Sequence, residues 1–205
     1  MSNNLAAGHS LNWFKKTFAN DLTFDELLDG VGEIPVGSDG LLFTPYLVGE
    51  RTPHADSQIR GSFIGMDSSH TIKNFARAVL EGITFSLNES IAIFRENGKE
   101  IDKVYSIGGG AKNTDWLQIQ ADIFNAQIVR LKTEQGPGMG AAMLAAYGSG
   151  WFNSLKECAD AFLEDADTFD PIPENAEKYK ELFQLYRDVY TQTKGINQDL
   201  MKFRK

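Results

Sequence analysis

Lys103-Val104-Tyr105-Ser106-Ile107-Gly108-Gly109-Gly110-Ala111 is a strand-like run that breaks into consecutive glycines, and the elements on its C-terminal side decide the fold. Residues 114–124 place Leu117, Ala121 and Phe124 on one side of a predicted helix. Gln127-Ile128-Val129-Arg130-Leu131 then reads as a second strand. Two strands enclosing a helix make a βαβ crossover, for which parallel pairing is expected. Glycines between strand and helix let the backbone take positive φ and approach a ligand closely. The helix start adds free N–H groups and a partial positive charge. Together these suit a nucleotide, although a plain tight turn explains three glycines equally well. The run is neither a Walker A loop, since no Gly-Lys-Ser/Thr comes after it, nor a Gly-x-Gly-x-x-Gly fingerprint.

Upstream of this unit lies the longest predicted element, a helix over 71–97. Ile72, Phe75, Ala76, Val79, Ile83, Leu87, Ile91 and Phe94 keep an apolar stripe along it, and Gly98 is a natural stop. Earlier still, 10–19 is helical by the spacing of Leu11, Phe14 and Phe18. A short helix over 23–28 carries a capping-box pattern, Thr23 with Glu26 three residues on. Residues 41–47 read as a buried extended segment in which Pro45 argues for an edge or an end. Downstream, Gln135-Gly136-Pro137-Gly138-Met139-Gly140 reads as a second glycine loop leading into a small-residue helix over 141–147. There Gly140 either serves close helix packing or lets the helix start beside the same nucleotide. Residues 159–173 read as acidic and irregular. A last helix, from about 174, sets Tyr179, Leu182, Phe183, Tyr186, Val189 and Tyr190 on one face.

Composition narrows the class. The 205 residues suffice for one domain with a sizeable core. A net charge of −8 argues against a non-specific nucleic-acid binder, which needs clustered Lys and Arg. One cysteine, Cys158, excludes an internal disulfide. No run approaches the ~18 apolar residues of a membrane span, and the first residues lack a signal peptide's basic start. A cytoplasmic protein is expected.

Few side chains announce chemistry. His9, His54 and His70 lie far apart, without Cys or paired carboxylates at ligand spacing, so no metal site is expected. The polar loop Gly49-Glu50-Arg51-Thr52-Pro53-His54-Ala55-Asp56 is either functional or an ion-paired surface loop, and His54 within it either touches a substrate or is a plain surface histidine. No Ser-His-acid set and no general base stand out. The residues alone lead to an α/β domain with a glycine turn suited to a nucleotide.

Several ordered segments resemble one family. Pro45-Tyr46-Leu47-Val48-Gly49-Glu50-Arg51-Thr52-Pro53-His54 is similar to a segment of the xylulokinase branch of the FGGY carbohydrate kinases. Gly61-Ser62-Phe63-Ile64-Gly65-Met66, followed by Asn74-Phe75-Ala76-Arg77-Ala78-Val79-Leu80-Glu81-Gly82, resembles the second signature of that family. The glycine turn with Lys112-Asn113 and Trp116-Leu117-Gln118 resembles its adenosine-binding segment, and Gly8-His9-Ser10-Leu11-Asn12-Trp13-Phe14 its short ATP-contacting stretch.

The resemblance implies an actin-like, ribonuclease-H-like ATPase lobe, a mixed sheet flanked by helices. Residues 1–170 would form the C-terminal nucleotide-binding domain, truncated at its start, and 171–205 a helix packing on it. The implied reaction passes the γ-phosphoryl of ATP, with Mg²⁺, to a sugar hydroxyl, for xylulokinases the 5-hydroxyl of D-xylulose. Gluconate, ribulose or glycerol are alternative acceptors, and a non-catalytic actin-like module is an alternative role. Gly109, Gly110 and Ala111 would meet the adenine or ribose through the backbone. Asn113 or Thr114 would add a side-chain hydrogen bond. Gly8 and Asn12 would lie beside the nucleotide, Asn12 standing where some members carry Gln. Glu50 and Arg51 would belong to a substrate-proximal loop. The family's catalytic base and phosphate-gripping hairpin precede residue 1, so the chain is expected to be inactive alone. Family members pair through this lobe, which makes a homodimer a further expectation.

Overall fold

The computed structural model describes residues 7–133 and 136–204. Helix α1 (Ala7–Phe18) leads into α2 (Phe24–Leu28). Thr23 caps α2: its hydroxyl accepts the Glu26 N–H, and the Glu26 carboxylate accepts the Thr23 N–H at 2.7 Å. Strands β1 (Leu42–Thr44) and β2 (Ser62–Ile64) pair antiparallel with Phe43 opposite Phe63. Helix α3 (Ile72–Glu96) starts where the Thr71 N–H and hydroxyl both donate to Asn74 Oδ1, and ends at Asn97 before Gly98 turns left-handed at φ 74°.

The crossover forms as expected. Strand β3 (Lys103–Ser106) runs parallel to β4 (Gln127–Leu131), with α4 (Thr114–Phe124) between them. Helices α5 (Pro137–Gly148) and α6 (Leu155–Phe162) come next, packed on each other. Strand β5 (Asp165–Phe169) then adds antiparallel to β4, so the sheet is mixed, in the order β3-β4-β5. Helix α7 (Pro173–Leu200) closes the chain and packs on α4, α3 and β1. No helix among the described residues is long and apolar enough to cross a membrane.

Three sequence expectations need correction. Residues 159–173 are not irregular: they hold the end of α6 and all of β5. The strand Asp-Ala-Asp-Thr-Phe is too polar to announce itself, because it is an edge strand whose carboxylates pair with β4 and β3 cations, Asp167 with Arg130 and Asp165 with Lys103. Helix α5 starts at Pro137, ahead of the expected 141, because a proline at the first helical position loses no hydrogen bond; Gln135 lies outside the described residues. Finally, α3 is more than amphipathic. Residues 76–86 are buried without interruption, so the helix is enclosed on every side.

Enclosure forces the polar residues of α3 to find partners. Glu81 is the centre. Its Oε1 accepts from Arg77 Nε at 2.8 Å, the Tyr179 hydroxyl at 2.7 Å and the Gly37 N–H at 3.1 Å. Its Oε2 accepts from Ser38 Oγ at 3.0 Å. Burial, then the Glu81 charge, pushes the Tyr179 phenol well above its ordinary pKa and keeps it a donor. The turn gripped here is unusual: Gly37, Ser38, Asp39 and Gly40 all have positive φ, at 84°, 52°, 57° and 92°. A left-handed non-glycine residue costs roughly 1–2 kcal/mol. Glu81 on Ser38, and Asn74 donating to Asp39 Oδ2 at 2.8 Å, offset that cost.

Candidate functional site

Strand β3 ends one residue before the glycine turn. Gly108 sits at φ 83° and ψ −164°, a conformation essentially restricted to glycine. A 3-10 turn over Gly109–Lys112 comes next. Asn113 then caps α4, its Oδ1 accepting the Trp116 N–H at 2.8 Å. The turn rests on the Trp116 ring: a Cβ added to Gly110 would lie 3.2 Å from the indole. That ring is itself fixed, because Nε1–H donates to Thr84 Oγ1 at 3.0 Å and the Thr84 hydroxyl donates to Leu80 O at 2.7 Å.

In front of the turn opens a cleft of about 500 Å³. Helix α1 contributes Gly8, Leu11 and Asn12, and α2 contributes Phe24, Asp25 and Leu28. Ile83 and Leu87 of α3 and Trp116 and Gln120 of α4 line it further. Ser106, Ile107, Gly109, Gly110, Lys112 and Asn113 complete the wall. The lining is mainly apolar, with polar groups among it: Asn12 Nδ2 donates to Gly8 O at 2.9 Å, and the buried Ser106 Oγ donates to Gln120 Oε1 at 2.9 Å. The Asn113 Nδ2 makes no hydrogen bond among the described residues and remains available. Size and lining match a flat heterocycle carrying a polar sugar.

The cleft thus gathers Gly8, Asn12, Gly109, Gly110 and Asn113. Ala111 and Thr114 do not line it. Ala111 is buried and borders a separate cavity, and Thr114 is the exposed first residue of α4. Gly140 is absent too, since α5 begins before it and packs on α6. Sequence reading missed Phe24, Leu28, Ile83, Leu87 and Gln120 as lining residues. They sit on stripes of ordinary helices, and only a three-dimensional meeting point separates them from core.

Glu50 and Arg51 line no part of the cleft. Glu50, Arg51 and Asp56 form no ion pair among the described residues. Glu50 turns inward, its Oε1 accepting the N–H of Arg51 at 2.6 Å and of Thr52 at 3.2 Å, while the Arg51 side chain is exposed. Burial raises the Glu50 pKa against the pull of those two donors. His54 is no plain surface residue: its ring stacks on Tyr190 of α7 at 3.7 Å, and Nε2 lies 3.5 Å from Glu89 Oε1. Asp56 accepts from the Tyr190 hydroxyl at 3.1 Å. The segment straps β1 to α3 and α7. Among the described residues no group of three or more His, Cys, Asp or Glu could hold a metal ion.

The model of the FGGY family of carbohydrate kinases, C-terminal domain, matches residues 3–149. The chain is 63% identical over 201 residues to a xylulose kinase of Bacillus subtilis, covering 98% of this chain and 40% of that protein. The solved ligand-bound xylulose kinase of Lactobacillus acidophilus superposes with a TM-score of 0.88 at 33% identity, over 96% of this chain and 40% of its own. The gluconate kinase of the same organism gives 0.87 at 34%, over 98% and 40%. The chain therefore spans about two fifths of the length of these relatives. Its mixed sheet and flanking helices have the actin-like, ribonuclease-H-like ATPase fold of such kinases.

Proposed function

Because the chain belongs to the FGGY family of carbohydrate kinases, we propose that it is the nucleotide-binding lobe of a cytoplasmic sugar kinase that uses ATP. The observation that supports this reading is the meeting of four helices and the glycine turn around one largely apolar cleft. Leu11, Ile83, Leu87 and Trp116, which line the cleft, would contact the base. Gly109 and Gly110, lacking side chains, leave room for the ribose beside the backbone. Asn12 and Asn113 offer amide groups to its hydroxyls. The acceptor is D-xylulose, by similarity to the xylulose kinase of Bacillus subtilis. Gluconate is the second reading, favoured by the equally close fit to a gluconate kinase.

Phosphoryl transfer is mostly positioning and charge stabilisation at the phosphates. We assign neither the base nor the phosphate grip to this chain, and expect both from the rest of the polypeptide in a protein of the relatives' length. Mg²⁺ would arrive with the nucleotide. The described residues form no metal cluster of their own, so no step is assigned through it. The chain alone is expected to produce no sugar phosphate from ATP and D-xylulose; phosphorylation above the uncatalysed rate would overturn that incompleteness. The sequence upstream of Met1 tests the wider reading. A first lobe with an Asp-x-Gly-Thr-like motif is expected, and its absence would support a non-catalytic module.

The cleft itself is tested by calorimetric titration with adenosine. Gly110→Val sets a branched side chain against an indole already in contact range. Overpacking of about 1–3 kcal/mol converts to an affinity loss of about 5- to 150-fold. Equal affinity in the variant would remove the glycine turn from the site.

A further inference from the structure

Behind the glycine turn lies a second cavity, of about 260 Å³, lined by Ser106, Ala111, Lys112, Arg130, Leu131, Lys132 and Ala166. Three of the seven are cations and none is an acid, in a chain whose net charge is −8. Arg130 is the next-to-last residue of β4, Lys132 lies just past the strand's end, and both line the cavity. Lys112 approaches from the turn. Arg130 pairs with Asp167 and Lys132 with Glu164, but neither carboxylate lines the cavity. Such exposed pairs hold weakly, and a guanidinium that gives one N–H to a carboxylate keeps others to donate. Lys112 has no hydrogen bond or ion pair among the described residues. The cavity and the nucleoside cleft share Ser106 and Lys112, so they lie on two sides of one turn.

We propose that this cavity is an anion subsite that takes the phosphate group of a small phosphorylated ligand. Three convergent cations beside a short strand end suit a compact, multiply charged oxyanion. The volume admits a phosphate or pyrophosphate. Two sources share that chemistry: the tail of a nucleotide seated in the neighbouring cleft, or a separate phosphorylated metabolite.

The test is titration of the chain with inorganic pyrophosphate, ADP and adenosine, on the wild type and on Lys112→Ala/Arg130→Gln/Lys132→Gln. Thermal melting checks that the variant is folded. Pyrophosphate is expected to bind the wild type in low salt, and the triple variant at least about tenfold more weakly. Added salt should weaken the wild-type binding. A second variant, Arg130→Gln/Lys132→Gln, whose residues line no part of the nucleoside cleft, should bind adenosine as the wild type does, which keeps failure of this site distinct from failure of the nucleoside cleft. If ADP binds the wild type more tightly than adenosine and the triple variant erases the difference, the phosphate is the nucleotide's own. If saturating adenosine leaves pyrophosphate binding unchanged and ADP gains nothing, the ligand is a separate molecule. Pyrophosphate affinity equal in a folded triple variant and the wild type overturns the proposal.

Discussion

Gly82→Ala is expected to lower the urea midpoint of unfolding sharply. A Cβ built there would stand 2.1 Å from Phe43 O and 2.9 Å from Phe43 C, backbone atoms of β1 that no rotamer change can move. Strand and helix would have to separate, and with them the packing of Phe43 on Phe63, now 4.7 Å between ring centroids. Overpacking a filled core costs typically 1–3 kcal/mol, and a backbone clash this close belongs at or above about 3 kcal/mol. Alanine's advantage over glycine inside a helix, about 1 kcal/mol, does not offset it. An unchanged or higher midpoint would show that β1 and α3 are not held at this distance.

Glu81→Ala should cost about as much by another route. The change strips the carboxylate from Arg77 and leaves a buried guanidinium unpaired, for which about 3–5 kcal/mol is typical. Gly37 N–H and Ser38 Oγ lose their acceptor at the same time, in a turn that is already left-handed. Glu81→Gln keeps the shape and one acceptor oxygen, so it should lose less. Denaturant titration of the three proteins ranks them, and a Glu81→Ala midpoint within error of the wild type would sink the account. These two residues also explain the second signature in physical terms. Asn74, Arg77, Glu81 and Gly82 hold a strained turn and a close backbone approach, and none of them lines the cleft.

Much of the scaffold was legible because its signals are local. The Thr23–Glu26 cap, the limits of α3 and the parallel β3-α4-β4 unit each arise from a few neighbouring residues. Strand β5 was illegible because its partner, not its own composition, makes it a strand: Asp165 and Asp167 would be poor choices anywhere but opposite Lys103 and Arg130. The site was half legible. Glycines at 109 and 110 announce a close approach, whereas Ile83 and Leu87 look like any apolar stripe until α1, α2 and α4 converge on them. His54 and Glu50 were misjudged for a related reason. A polar loop reads as solvated unless one knows that Tyr190, over 130 residues away, lies flat against it.

The enclosure of α3 carries a consequence for how a ligand is received. Every helical wall of the cleft is α3 itself or packs on it: α1, α2 and α4 all do. No hinge among the described residues separates one wall from another. The seat is therefore preorganised, and a nucleoside entering it finds few internal degrees of freedom left to freeze. On the proposed kinase role, any closure over the cleft is a movement of another part of the protein against this body.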